Sequence, residues 1–547
     1  MWDLIAITLL IMILLMRSWK ILSWIWVNPK KKERILKQQG FKGNSYFLRN
    51  LLFGEVKKNS TVNTKALSKA ISIHDDIVPR AIPFVHETVQ KHGTKSFMWV
   101  GTRPRVLVLD PDQMKTIMNE YNSFIKNFKV ANSIVKLLVG GLINLEGNEW
   151  SKSRGSFNPL FYVEKLKQMV PAFQLSCDEI INEWKNLAFK DGSCVVDVVH
   201  YLESYTSKVL SNALLTTDHA KDKRIYELLK ETSILTTQTS QILDFPGAKY
   251  LPTKANRRAK QIMSELRKLF AERIDEKVKE IKEGQIKGDN FFDVLLKFEV
   301  AQAHGINNMD DIFGQLKLFY FAGFETSSMM LVWTMILLSI HPHWQERARE
   351  EVFQIFGDRE VDYERISQLK VVSMIFNEVM RLYPSVVELS RLVEKETKLG
   401  ENIIPADTLL MLPIMIVHRN PEYWGEDVNE FKPDRFAEGV LKATKGKTAY
   451  FPFGWGPRVC IGQNFALLEG KVMMANILRT FSFELSPTYT HAPHVEFVKW
   501  VIIIRGRESS TLLGLIGNNT DTTGMDIWQQ QKLTGDLTGS KELNGAR

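Results

Sequence analysis

The stretch Phe453-Gly-Trp-Gly456-Pro-Arg458-Val-Cys460-Ile-Gly462 sets one thiol between two glycines, with a cation two residues before it. A sulfur that ligates a metal inside a macrocycle needs an approach free of side chains, which glycines on both sides allow. Its negative charge must also be held, and a helix starting near Ile461 would aim backbone N–H groups at it. Arg458 is placed to meet an anionic edge of the same group, a charge-assisted contact. Phe453 can pack beside the sulfur and limit the access of water. The other two cysteines, Cys177 and Cys194, have no such setting and read as packing residues. Three widely spaced cysteines without a CxxC pair argue against a disulfide scaffold or a four-ligand zinc site, and suit a reducing compartment.

F-x-x-G-x-R-x-C-x-G is the signature of cytochrome P-450, and every fixed position is filled here. A chance match in a chain of this length is on the order of 10⁻⁴ from average residue usage. The chain therefore resembles that family, and the resemblance implies haem b, with Cys460 ligating the iron and Arg458 on a propionate. Ala322-Gly-Phe-Glu325-Thr326-Ser327 resembles the family's oxygen-activation motif. There Gly323 would open the helix ladder to dioxygen and water. Thr326 would hydrogen-bond the bound oxygen, and Glu325 would feed protons inward. The plain alternative is a solvated Glu and a Thr bonded back to its own helix.

Glu378-Val-Met-Arg381 puts a carboxylate and a guanidinium on one helical face. An ExxR match by itself is expected once or twice by chance; its order, between the Thr motif and Phe431-Lys-Pro433-Asp-Arg435-Phe436, gives it meaning. The resemblance implies a structural ion-pair cluster of Glu378, Arg381 and Arg435. It also implies that Trp150 and Arg154 of a W-x-x-x-R pattern reach one propionate, and that Arg391 serves the other. Within the family the chain is similar to the plant branch called clan seventy-two, of the secologanin synthase type. The residues are Trp26, Pro29 through Gln39-Gly40, Asn158-Pro-Leu-Phe161, Phe319-Tyr-Phe-Ala-Gly323, Trp424-Gly425 and Ile461 to Glu469. That implies a monooxygenase of small hydrophobic, terpenoid-type substrates. Its electrons would come from NADPH through NADPH–cytochrome P-450 reductase, since no glycine-rich nucleotide fingerprint is present for NADPH itself.

The elements that must position these residues read as mostly α with small β-sheets, an α+β architecture. Apolar periodicity predicts helices over Val163 to Lys185, Lys223 to Ile242, Ala255 to Glu283 and Trp344 to Phe356. Asp310 to Ile340 is the longest, apolar over most of its circumference, and should cross the centre of the domain. Strand signals lie at Phe97 to Val108, with Pro104 marking a turn, at Ile403 to Val417 and at Val495 to Ile504.

At the N-terminus, Leu4 to Met16 and Ile21 to Val27 flank Arg17 and Lys20, which can snorkel. Asp3 precedes and Lys30, Lys31, Lys32 and Arg34 follow, the flanks of an uncleaved anchor rather than a signal peptide. The division expected is an anchor at 1–27, closed by Pro29, a basic linker and start of the body at 28–76, a haem-thiolate domain at 77–517 and a polar tail at 518–547. Positive-inside bias implies one pass with the body facing the cytosol, and the resemblance implies that the membrane is that of the endoplasmic reticulum. The content of 44% hydrophobic and 24% charged residues is that of a globular protein. The net charge of +9 comes without a basic run interleaved with aromatics, so membrane lipid or an acidic protein fits better than nucleic acid.

Two departures from the family stand out. Phe324 fills a variable motif position and should face the pocket near the iron. After His491-Ala-Pro493 the family's strand pair is replaced by Val495 to Ile504 and a polar tail. A haem-thiolate isomerase or lyase that uses no dioxygen is one alternative, against which Thr326 and the anchor speak. A haem protein impaired by its altered C-terminus is the other.

Overall fold

The computed structural model describes residues 2–47, 70–73, 75–126, 140–188, 192–215, 218–239, 252–283, 291–295, 309–491 and 501–506. The chain divides into two units, Met1–Gly506 and Arg507–Arg547, and the second lies wholly outside the described residues, as does the expected tail. The longer helices are α1 (Trp2–Leu22), α2 (Asn28–Gln38), α3 (Pro83–His92), α4 (Pro111–Asn119), α5 (Gly147–Phe157), α6 (Val163–Ala188) and α7 (Val198–Val209). They continue with α8 (His219–Thr239), α9 (Lys254–Lys282), α10 (Met309–Ile340), α11 (Pro342–Phe356), α12 (Lys370–Leu382) and α13 (Gln463–Thr480). The strands are β1 (Lys42–Gly43), β2 (Ser96–Val100), β3 (Arg103–Leu107), β4 (Phe124–Lys126), β5 (Ser193–Asp197) and β6 (Leu389–Val393). After them come β7 (Thr397–Leu399), β8 (Asn402–Ile404), β9 (Thr408–Leu412), β10 (Phe481–Leu485) and β11 (Val501–Gly506).

The architecture is mostly helical with three small sheets, ordered β1-β2-β3-β9-β6-β4, β10-β11-β5 and β7-β8. As its apolar circumference requires, α10 runs through the main core: Ile312, Leu316, Tyr320, Leu331, Met335 and Ile336 are all at most 1% exposed. It begins with Asp310 and Asp311 in its first turn and ends before Pro342. Around it pack α7, α8, α12 and α13. The helices expected over Val163 to Lys185, Ala255 to Glu283 and Trp344 to Phe356 are present within three residues at each end.

Three details differ from the sequence reading. Pro104 does not turn the chain. It lies inside β3 opposite Trp99, at a position where β9 does not pair, and the turn falls at Gly101 and Thr102. The expected strand from Ile403 to Val417 is broken into β8, β9 and a single helical turn at Ile414–Val417. Of Val495 to Ile504, residues 495–500 lie outside the described region. The chain from Val501 forms β11, hydrogen-bonded to both β10 and β5. This segment thus supplies the middle strand of a sheet.

Ile5–Gln38 is one helical run whose most apolar window is unburied, as suits a membrane anchor. Pro29 does not close it. The ladder loosens into a π-turn over Ser23–Val27, and α2 continues on the other side. The first part of the expected linker is therefore a docked helix. Leu36 is fully buried, Lys32 donates to Asp407 at 2.9 Å, and Gln39 brackets the backbone of Ile403.

Candidate functional site

The loop from Phe451 to Gly462 ends at the N-terminus of α13 and is closed by the Cys460 N–H donating to the Phe453 carbonyl at 2.9 Å. Gly456 owes its identity to backbone placement: its φ is 70°, and a Cβ there would stand 2.9 Å from the Met118 carbonyl oxygen. Gly462 has room for a side chain, so the unobstructed approach expected of it is not what the fold demands. Its contribution is its amide, which hydrogen-bonds the Cys460 sulfur. Burial pushes the Cys460 thiol up, and the Gly462 amide, Arg154 and Lys126 pull it partly back.

Cys460 is enclosed by protein, yet its side chain is solvent-accessible, which marks a residue lining internal space. On α10, Ala322 and Thr326 are exposed one turn apart, although most of that helix is buried. Thr326 Oγ1 donates back to the Ala322 carbonyl at 2.8 Å. Glu325 is not solvated. Ser233 of α8 donates to it at 2.9 Å, and burial raises its carboxyl to about 7. Two expectations for this helix fail. Gly323 opens no gap, because α10 is continuous and Leu210 packs against that spot, where a Cβ would stand 2.7 Å from its methyl carbon. Phe324 faces away from Thr326, since two residues turn the helix by about 200°. It packs edge-on against Tyr226 at 5.2 Å, only 3% exposed.

Four cations converge near Cys460. Arg458 pairs with Glu146, donates to the Leu145 carbonyl at 2.7 Å, and lies 4.6 Å over the Trp150 ring and 5.5 Å over Tyr121. The Trp150 ring thus packs against Arg458 itself. Arg154 donates to Asn158 at 2.8 Å. Arg391 is 3% exposed, and its Nε has no acceptor. Lys126, which the sequence reading passed over, sits beside Arg391 and Arg458, and burial lowers its ammonium to about 7. Among the described charged groups that act on this cluster Glu146 is the only carboxylate, and a buried positive surplus of this kind suits an anionic ligand. The residues therefore fit a macrocycle carrying two carboxylates, with one soft thiol at hand.

Below the Cys loop, Arg381 grips Glu378 through two hydrogen bonds of 2.7 and 2.8 Å, both side chains fully buried. Arg381 also donates to the carbonyls of His418, Val428 and Glu430. Arg435 approaches Glu378 at 3.6 Å, too long for a hydrogen bond, and is bound at 2.8 Å to Asp427. His418, another residue not singled out from sequence, accepts the Phe451 N–H at 2.9 Å and so ties this cluster to the Cys loop. Its only sequence signal was a histidine beside the Trp424-Gly425 run.

The profile of the family described as Cytochrome P450 matches residues 81–505. The chain is 46% identical over 499 residues to 7-deoxyloganic acid hydroxylase of Catharanthus roseus, covering 89% of this chain and 95% of that protein. It is 43% identical over 483 residues to Secologanin synthase 1 of the same plant, covering 87% and 92%. It is 44% identical over 481 residues to Cytochrome P450 72A15 of Arabidopsis thaliana, again covering 87% and 92%.

Proposed function

Because this chain belongs to the cytochrome P450 family, we propose that it is a haem-thiolate monooxygenase with Cys460 on the iron and a hydrophobic, terpenoid-type substrate. The observation that carries this reading is the surplus of buried cations around an accessible thiol. Arg458, Arg154, Arg391 and Lys126 would hold the two propionates, and Trp150 would keep Arg458 in place. Phe453 shields the sulfur side from water. When bound, the haem supplies dioxygen activation, to which an electron-donating thiolate is suited.

The chain's own residues do the rest. Glu325, neutral and charged in comparable amounts near pH 7, can take a proton from Ser233's side and pass it inward. Thr326 presents its hydroxyl to the same interior space and can hold a proton there. Glu378, Arg381 and Arg435 keep the Cys loop rigid and play no part in the chemistry. Electrons would come from NADPH through a membrane-bound P450 reductase. The basic residues after the anchor support a single pass with the body in the cytosol, and the membrane we assign is that of the endoplasmic reticulum. The terpenoid class rests on relatives named for iridoid chemistry.

The test is the reduced, carbon-monoxide difference spectrum of the expressed protein. A thiolate-type band that Cys460→Ser abolishes is expected, because a hydroxyl is neither soft nor strongly electron-donating. Retention of that band in the variant would sink the assignment. Product formation that needs the reductase separates a monooxygenase from an isomerase or lyase.

A further inference from the structure

Two side-chain hydroxyls reach α10 from separate elements and bond to carbonyls on either side of Glu325. Thr206 of α7 donates to the Phe324 carbonyl at 2.9 Å. Ser385, in the segment between α12 and β6, donates to the Thr326 carbonyl at 3.0 Å. Residues 324 and 326 stand about 200° apart around a helix, so the two bonds grip it from nearly opposite sides. A bond on one side alone would leave the turn free to swivel about it.

Thr206 departs from the habit of its residue type. A threonine inside a helix usually returns its hydroxyl to its own backbone. Here the Glu203 carbonyl of its own helix lies 3.3 Å away, and the carbonyl on α10 is the nearer. Thr206 is fully buried, and Leu210, four residues on, packs where Gly323 has no side chain. That contact keeps α7 close enough for the hydroxyl to cross to α10. Within α10, Thr326 and Ser328 donate to the carbonyls of Ala322 and Glu325. The carbonyls of Ala322, Phe324, Glu325 and Thr326 thus each take a hydroxyl donor. Each carbonyl has two lone pairs, so the helix ladder runs on unbroken beneath these bonds.

Resting on the monooxygenase reading, we propose that Thr206 and Ser385 are positioning residues, a two-sided clamp on the 322–327 turn. The clamp fixes the rotation of that turn and so the directions of the Thr326 hydroxyl and the Glu325 carboxyl. A twist of ~15° moves an atom ~4 Å from the helix axis by ~1 Å. Misplacement of that size costs ~10²-fold where groups must meet in one geometry. Both residues act through the turn they hold.

The experiment uses the full haem-loaded protein and compares Thr206→Val, Ser385→Ala, their double variant, Thr206→Ser and Ser385→Thr. Thr334→Val is the control, because Thr334 donates to the Met330 carbonyl of the same helix two turns beyond Thr326. Hydrogen exchange over residues 322–330 is read first, without turnover. Loss of either clamp hydroxyl should speed it ~5-fold, the net worth of one hydrogen bond. The ratio of product to NADPH consumed is then measured with the reductase on a panel of iridoid acids and triterpene alcohols. It should fall ~10-fold in Thr206→Val and in Ser385→Ala, part of the ~10² that a full 1 Å shift costs, while the carbon-monoxide spectrum is unchanged. Thr206→Ser and Ser385→Thr keep a hydroxyl and should stay near the wild type, as should Thr334→Val. Since a one-sided hold does not stop rotation, the double variant should be little worse than either single one. Additive losses would overturn the clamp, as would unchanged exchange in both single variants or an equal loss of coupling in Thr334→Val. A wild type without the thiolate band, or one that oxidises no member of the panel, would instead overturn the monooxygenase reading, and exchange would still judge the clamp.

Discussion

The Tyr46 hydroxyl donates at 2.7 Å to the carbonyl of Ile25, the group four residues before Pro29. Proline has no N–H to offer that carbonyl, so a side chain of the catalytic body answers for the helix. Tyr46 is fully buried against Trp99 at 4.8 Å, and burial pushes its hydroxyl up to about 12, so it stays a donor at every physiological pH. The membrane helix and the body are thereby joined by a side-chain contact as well as by the backbone.

Tyr46→Phe should loosen this joint by about 1 kcal/mol, the net worth of one hydrogen bond. Pro29→Ala restores an N–H at that site, so in its background Tyr46→Phe should cost clearly less. Hydrogen exchange across α2 in the four proteins of the cycle reads the coupling. Additive effects would mean that Pro29 and Tyr46 act independently. Removing Met1 to Val27 should release much of the protein from membranes and leave its haem in place.

His418 makes the Cys loop sensitive to acid. Its imidazole is buried, accepts the Phe451 N–H and lies near Arg381, so burial first and that cation next lower it from 6.5 to about 3. The unfolded chain binds the proton first. Stability from this group is therefore full above pH 6.5 and is lost as pH falls toward 3, by ~3 kcal/mol between pH 6.5 and 4. His418→Gln keeps an acceptor for Phe451 without the charge. Its melting temperature should fall less steeply than that of the wild type over this window, and parallel curves would assign the acid lability elsewhere.

Glu325 acts in the opposite sense. Its folded carboxyl sits near 7 against an ordinary 4.5, so the folded state favours the proton. No penalty exists below pH 4.5; it grows as pH rises and levels off above 7 at ~3 kcal/mol. Glu325→Gln should match the wild type in stability at pH 4 and exceed it at pH 8. Turnover by the variant should drop and lose a pH dependence centred near 7. A stability gain that is the same at both pH values would show that the shift is not what governs it.

Thr326→Ala should leave substrate binding unchanged and uncouple the reaction. NADPH consumption continues while hydrogen peroxide replaces product, because the hydroxyl is needed only for proton delivery. The measurement is the ratio of product to NADPH consumed. An unchanged ratio would move the proton path away from this residue.

The family, the Cys460 loop, the order of the ExxR and Arg435 motifs and the extent of the central helix were all legible in the amino-acid sequence. These are legible because each depends on local spacing: glycines and a cysteine in one loop, i and i+3 on one helix, an uninterrupted apolar run. Which groups stand across from one another was set by the packing of distant segments. Lys126 and Glu146 belong to the cation cluster, and His418 braces the Cys loop, through contacts between residues far apart in the chain. Phe324 turned away from the site and Gly323 proved to be a packing contact, because a helix residue's neighbours are chosen by the elements that surround it. Pro29 carried the same limit. A proline tells that a carbonyl is left free, and only the fold tells that Tyr46 is there to meet it.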